Sequence, residues 1–275
     1  MLKALLNKLG APGAVAIPDE SWDANLTALP FIARLDGDER ARLRALVGRF
    51  LAEKEMSGAD GLELTAAIQV NVAMQACLPI LNLGLEWYQG WVGVIVYPSE
   101  FVVQRRIVDH DSVVHEFEDA LAGEAWDGGP VLLSWDDAQA PSGDGYGTSV
   151  VIHEFTHKLD MLNGEPNGQP PFDARLHAGL SRRAWQAALE EAFERFNAEL
   201  DLIEAEIPAD LDPESADADR YFAALPLDPY AAQEEAEFFA VSSEAFFVAP
   251  ARLRDAFPEW YALLARFFRQ DPLAR

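Results

Sequence analysis

Ser149-Val150-Val151-Ile152-His153-Glu154-Phe155-Thr156-His157-Lys158-Leu159-Asp160 contains the pattern His-Glu-x-x-His. If the stretch is helical, His153 and His157 lie one turn apart on one face, because residues i and i+4 stack along an α-helix. Two imidazoles so placed can share one tetrahedral Zn2+. Glu154 then sits about 100° around the helix from His153 and about 60° from His157, at roughly 3.6 residues per turn. It flanks the metal rather than binding it. From there it can take a proton from a water that the metal has acidified, which is the arrangement of a zinc peptidase. The competing reading is two surface histidines on an amphipathic helix.

The flanking residues support the helix. Val151, Phe155, Leu159 and Leu162 recur at core-facing spacing, while His153, His157 and Asp160 fall on roughly the opposite side. Thr148 or Ser149 can cap the start, and Asn163-Gly164 reads as the stop. A catalytic zinc needs a third protein ligand. Glu237 and Glu244 both lie in the helical pattern from Gln233 to about Phe247 and are two turns apart, so they share a face. Spacing alone does not choose between them.

Composition narrows the remaining possibilities. The formal charge is −25, and no basic patch is visible, which argues against direct nucleic-acid binding. The same charge disfavours anionic membrane surfaces and favours cationic partners. The lone cysteine, Cys77, rules out an intrachain disulfide and fits a cytoplasmic setting, with the thiol as a small buried apolar group. No run approaches the roughly 18 apolar residues of a membrane span. Met1–Leu9 reads as a short amphipathic helix and a poor signal peptide.

Working outward, residues 10–30 read as an extended lead-in. Helices follow at 38–54 and 64–81, then an aromatic turn at Glu86–Trp91. Strands are expected at 92–97 and 131–135, with a short strand or loop at 101–103. The strand at 131–135 is expected to form the edge of the cleft. His110 and His115 lack ligand spacing and read as ordinary polar residues. A Gly-rich loop, Gly143–Gly147, leads into the motif helix. Helices are then expected at 180–203, 233–247 and 251–269. The order of helices, small sheet and helices predicts an α+β fold. It also suggests one domain over 1–275, with an N-terminal helical part (about 1–85) and a catalytic part (about 86–275).

Several segments beyond the zinc motif form a recognisable set: Gly61-Leu62-Glu63-Leu64-Thr65, Gln75-Ala76-Cys77-Leu78, Trp87-Tyr88-Gln89-Gly90-Trp91, Val96-Tyr97-Pro98-Ser99-Glu100-Phe101-Val102-Val103, and Asp228-Pro229-Tyr230-Ala231-Ala232 leading into Ala236-Glu237-Phe238-Phe239-Ala240-Val241. With these the chain resembles the Mlc titration factor A family. Its members are also called glucose-regulated metallopeptidases, zincins related in their core to anthrax lethal factor. The resemblance implies a zincin-like α+β fold with a small mixed sheet and surrounding helices. It implies one zinc per chain on His153, His157 and Glu237, with Glu154 as general base and then acid. Tyr230 would donate a hydrogen bond to the developing oxyanion. It decides for Glu237 over Glu244, and makes Asp160 and Glu244 candidates to orient the histidines. Peptide hydrolysis, with aminopeptidase action as one option, is the implied activity. Founding members are also associated with binding the repressor Mlc and removing it from DNA. The implied partner is therefore a peptide or protein substrate, or a transcriptional repressor. One departure stands out: the connection before Asp228, about 204–227, looks longer than usual. Its acidic first part, about Glu204 to Asp219, reads as a surface insertion that covers the cleft or recruits basic peptides.

Overall fold

Short helices, a small sheet and then long helices follow one another along the chain. The computed structural model describes residues 13–108, 114–139, 146–208, 210–212, 215 and 217–275, with 103–108 and 114–120 as backbone only. The expected helix at 1–9, the side chains of His110 and His115, and most of the Gly143–Gly147 loop lie outside this set.

The expected lead-in is instead partly helical: α1 (Asp19–Ala28) and α2 (Pro30–Ala33). Pro18 holds an extended backbone just ahead of α1, and Asp19 and Glu20 place negative charge at its N-terminus, where the helix dipole favours it. Only Trp22 and Asn25 of α1 are buried, too few for an apolar stripe to show in the sequence. Helix α3 (Gly37–Glu53) starts with a reciprocal capping box between Asp36 and Glu39, and buries Leu43, Leu46, Val47 and Phe50. Helix α4 (Ala66–Cys77) is capped by Thr65 and is buried along most of its length.

The strands are β1 (Glu55–Gly58), β2 (Gly93–Tyr97), β3 (Phe101–Val108), β4 (Val114–Leu121), β5 (Gly123–Ala125) and β6 (Val131–Ser134). One sheet has the order β1-β2-β6-β5, with β1, β2 and β6 parallel and β5 antiparallel, so it is small and mixed as expected. The parallel β1–β2 pair requires a crossover, which α4 supplies. Strands β3 and β4 form a separate antiparallel ribbon. The strand at 131–134 is internal, not the edge expected from the sequence. The edge beside β6 is β5, which returns antiparallel along it, and the opposite edge is β1.

After α5 (Trp135–Ala138) comes the motif helix, α6 (Val150–Asp160). Val151, Phe155 and Leu159 are fully buried, and Phe155 packs against Phe50, Tyr88 and Trp91 with ring centroids 5.1–5.7 Å apart. Leu162 leaves the predicted stripe and is 39 % exposed, because α6 ends at Asp160 and a tighter turn, Met161–Asn163, rotates it outward. Helices α7 (Arg182–Glu204), α8 (Asp219–Phe222), α9 (Glu235–Val248), α10 (Pro250–Ala256) and α11 (Pro258–Phe268) follow. The single helix expected at 251–269 is thus two, broken at Phe257, because Pro258 has no N–H to continue the ladder and begins a new first turn. Helix α9 is apolar nearly all round and lies deep in the core. One continuous apolar cluster runs from Trp22 to Phe268.

The acidic connection divides in two. Its second half is packed: Ala218, Leu225 and Leu227 are fully buried, and Arg252 donates to the Ala223 and Leu225 carbonyls. Among the described residues, no helix is long and apolar enough to cross a membrane.

His177 is buried among the rings of Trp87, Phe172 and Phe267, stacked on Phe267 at 5.1 Å. Its Nδ1 accepts from the Asp173 N–H at 3.0 Å, and its Nε2 donates to the Phe267 carbonyl at 3.0 Å. That pattern requires a neutral ring, and burial lowers its pKa. The folded protein therefore holds fewer protons here than the unfolded chain, and the stabilisation is complete above about pH 6.5 and fades as pH falls below it. In urea unfolding, the stability gap between the wild type and His177→Gln should be widest at neutral pH and shrink in mild acid. A gap independent of pH would refute this account.

Candidate metal centre

Helix α6 begins at Ser149, whose hydroxyl accepts from the Ile152 N–H at 3.3 Å. Helix α9 crosses it and brings two carboxylates to one imidazole. Glu244 Oε1 lies 2.8 Å from His153 Nδ1, and Glu237 Oε2 lies 3.0 Å from His153 Nε2. Glu244 Oε2 also accepts the Ser149 N–H, so the start of α6 and the His153 ring share one acceptor. Glu244 is in this way hydrogen-bonded to the ring edge that faces away from Glu237.

His153 Nε2, His157 Nε2 and Glu237 Oε2 converge. The two imidazole nitrogens are 3.1 Å apart, and Glu237 Oε2 is 3.4 Å from His157 Nε2. His153, His157 and Glu237 each offer one ligand atom, all within 4.8 Å of one another. Glu237 Oε2 is buried with no directed hydrogen bond, so its short contacts are close approaches rather than made bonds. If Nδ1 of His153 carries the proton that Glu244 accepts, its Nε2 has a bare lone pair aimed at His157 Nε2 and at a carboxylate oxygen. A cation among these atoms removes that repulsion, and the N2O donor set suits zinc. Electrostatics point the same way. Burial disfavours a charged Glu237, but the two histidines override it and hold its carboxyl well below the usual range. Burial likewise opposes charge on His153, and Glu237 and Glu244 outweigh it and raise the ring's proton affinity.

Glu154 is buried against the other wall. Burial raises its pKa to about 6, against the lowering effect of His153 and His157. Its neighbour across the gap is Gly123 of the edge strand: a Cβ there would stand 2.5 Å from Glu154 Oε1 and 2.8 Å from Val150 Cγ2. Gly123 therefore lets the strand approach the carboxylate. A cleft of about 440 Å³ opens here, lined by His153, Glu154, Tyr230 and Glu244 among others. Tyr230 is partly exposed, with its ring centroid 5.9 Å from that of His153, and Asp228 fixes its turn by accepting the Tyr230 N–H. No described residue of 204–227 lines the cleft, so the cover expected from the sequence is not formed by them.

The structure thus gathers His153, Glu154, His157, Tyr230, Glu237 and Glu244 at one place. Asp160 does something else. Its Oδ2 accepts the Asn167 and Gly168 N–H groups at 2.7 and 2.6 Å, tying the loop after α6, while its Oδ1 and His157 Nδ1 are both buried without a hydrogen-bond partner. Asp160 makes no hydrogen bond to His157 here, although the histidine's charge lowers the Asp160 pKa against the effect of burial. Sequence reasoning missed Gly123, because β5 is three residues long and carries no alternating pattern. It missed Asp228 as well; a signal existed there, since Asp before Pro commonly starts a turn.

Comparison with known proteins agrees with this geometry. Residues 10–269 match the model of the glucose-regulated metallo-peptidase M90 family. The chain is 38 % identical over 263 residues to Mlc titration factor A of Klebsiella pneumoniae subsp. pneumoniae, covering 94 % of this chain and 91 % of that one. It is also 38 % identical over 249 residues to Mlc titration factor A of Serratia proteamaculans, covering 90 % and 86 %. A matching metallopeptidase model over nearly the whole chain, and a His-His-Glu cluster able to hold a metal, lead to one conclusion: the chain belongs to the glucose-regulated metallo-peptidase M90 family.

Proposed function

We propose that the protein is a cytoplasmic zinc peptidase with one Zn2+ per chain held by His153, His157 and Glu237, working as a single unit across residues 1–275. The observation that carries this reading is the convergence of three ligand atoms within 4.8 Å beside the buried Glu154, at the wall of an open cleft. Zinc at that point supplies Lewis-acid polarisation of the scissile carbonyl and acidifies water. The chain's own residues do the rest. Glu154 accepts the water proton on its carboxylate and passes it to the leaving amine nitrogen. Tyr230 directs its hydroxyl to the carbonyl oxygen as charge builds there. The edge strand β5 offers backbone groups with which an extended peptide can pair, and Gly123 sets that peptide close to Glu154. The carboxylates Glu100, Asp136 and Asp137 in the same cleft favour a cationic group such as a free N-terminal amine, which supports aminopeptidase action. The single cysteine, buried as Cys77, fits the cytoplasmic placement.

The names of the relatives favour a second reading: the protein binds and titrates an Mlc-like repressor, with hydrolysis secondary. The two readings separate at Glu154, which hydrolysis needs and a binding surface does not.

Metal analysis of the purified protein should find one zinc per chain. Glu237→Ala should lose it. Glu244→Ala should retain it with affinity weakened about 10–100-fold, the usual effect of removing a partner that orients a ligand. Full zinc in Glu237→Ala together with loss in Glu244→Ala would reverse the assignment. Glu154→Gln, nearly isosteric but unable to accept a proton, should keep its zinc while peptide cleavage falls about 10²–10⁴-fold. Chelation should abolish cleavage and added zinc restore it. Cleavage that survives a chelator, or Glu154→Gln cleaving at the wild-type rate with its zinc intact, would refute this mechanism, and a zinc-loaded wild type that cleaves no peptide would leave the repressor-binding reading in possession of the site.

A further inference from the structure

The segment Gln75-Ala76-Cys77-Leu78 carries part of the family resemblance, yet it supplies neither a candidate ligand nor a cleft wall. Gln75, on α4, is 1 % exposed and fully hydrogen-bonded. Its Oε1 accepts from Ser149 Oγ at 2.8 Å, and its Nε2 donates to Asn71 Oδ1 at 2.8 Å and to the Ala138 carbonyl at 2.7 Å. Asn71 Nδ2 donates to Asn25 Oδ1 at 2.8 Å and to the Gln139 carbonyl at 3.1 Å. Asn25 Nδ2 donates to the Ser21 and Ala67 carbonyls at 2.8 and 3.0 Å. Every link runs donor to acceptor in one sense, from Ser149 through Gln75 and Asn71 to Asn25. Turning any of the three amides over would set like groups against each other, so each orientation is fixed by its neighbours.

Ser149 joins this chain to the metal centre. Its single hydroxyl proton is committed to Gln75, which leaves a lone pair free for the Ile152 N–H that starts α6. Its own N–H donates to Glu244, and Glu244 takes His153 Nδ1. The geometry points to Gln75 as a positioning residue for the metal centre, acting through Ser149 and Glu244 to hold His153 in the tautomer that presents Nε2 to a cation. This rests on the zinc reading above. Without Gln75 the hydroxyl loses its buried acceptor. Ser149 is then no longer anchored on that side, and its N–H, which holds the Glu244 carboxylate against His153, shifts with it.

The test is zinc affinity of the full-length protein by chelator competition. Gln75→Met keeps the bulk and removes all three hydrogen bonds; its affinity should fall about tenfold, the low end for outer partners of a ligand. Tyr88→Phe is the control. It deletes another buried hydrogen bond to α4, from the Tyr88 hydroxyl to the Ala76 carbonyl at 2.8 Å, and should lower stability while zinc affinity stays within about twofold. A purely structural role would move both variants alike. Unchanged affinity in Gln75→Met, or an equal loss in Tyr88→Phe, overturns the proposal. Should Gln75→Met fail to fold, Ser149→Ala decides: about tenfold weaker zinc supports the relay, and wild-type affinity overturns it. A wild type that binds no zinc sinks the zinc reading and this one together, whereas a wild type that binds zinc no better than Gln75→Met sinks this one alone.

Discussion

One imidazole is gripped at both nitrogens by a single helix. Glu237 and Glu244 are two turns apart on α9, and the crossing with α6 places His153 between them, at 3.0 and 2.8 Å. That contact sets the geometry of the centre. It fixes which ring nitrogen points inward, how close α6 and α9 can approach, and where Glu154 falls relative to the cleft. Burying two carboxylates beside two histidines is expensive unless each charge finds a partner. Here the partners are the Ser149 N–H and the His153 ring for Glu244, and the two histidines for Glu237. A cation among the converging lone pairs, or a second proton on the His153 ring, balances the arrangement.

The apolar surroundings make this balance hold. Val151, Phe155 and Leu159 root α6 in the core, and α9 is buried along nearly its whole length, so neither helix can slide to relieve the crowding. The same burial raises the Glu154 pKa to about 6, closer to the range where a carboxyl both takes and gives a proton near neutrality. Lys158 shows the other use of the helix. It donates to the Trp126 and Gly129 carbonyls and lies 5.1 Å from the Trp91 ring, which pins the turn after β5 to α6. The edge strand and the motif helix are thus fastened at both ends of the cleft wall: by Lys158 at one, and by the close fit of Gly123 against Glu154 and Val150 at the other.

Much of this was legible in the sequence, for a local reason. His153, Glu154 and His157 are spaced by one helical turn, and a helix converts that spacing directly into proximity. The cap at Ser149, the stripe through Val151, Phe155 and Leu159, and the mixed α and β order are likewise local, and the structure reproduces them. Where local pattern was weak the reading failed: α1 buries only Trp22 and Asn25, Pro258 splits what looked like one helix, and Leu162 turns outward past the end of α6. The edge strand was misplaced because strand order is a property of pairing, and three-residue β5 carries no pattern of its own.

What the sequence alone determined was the two-histidine pair, its flanking carboxylate and the helix that presents them, because all three lie within five residues of one another. The resemblance pointed to Glu237 over Glu244, but only the tertiary structure shows where each of them stands. Their seven-residue spacing puts them on the same face, and it takes the crossing of α9 over α6 to place them at opposite edges of one ring. The same holds for Gly123 and Gln75, whose partners Glu154 and Ser149 are distant in sequence. Hydrogen bonds and close approaches between such positions follow from how helices and strands pack, and packing is written in the whole set of apolar contacts rather than in any one stretch of residues.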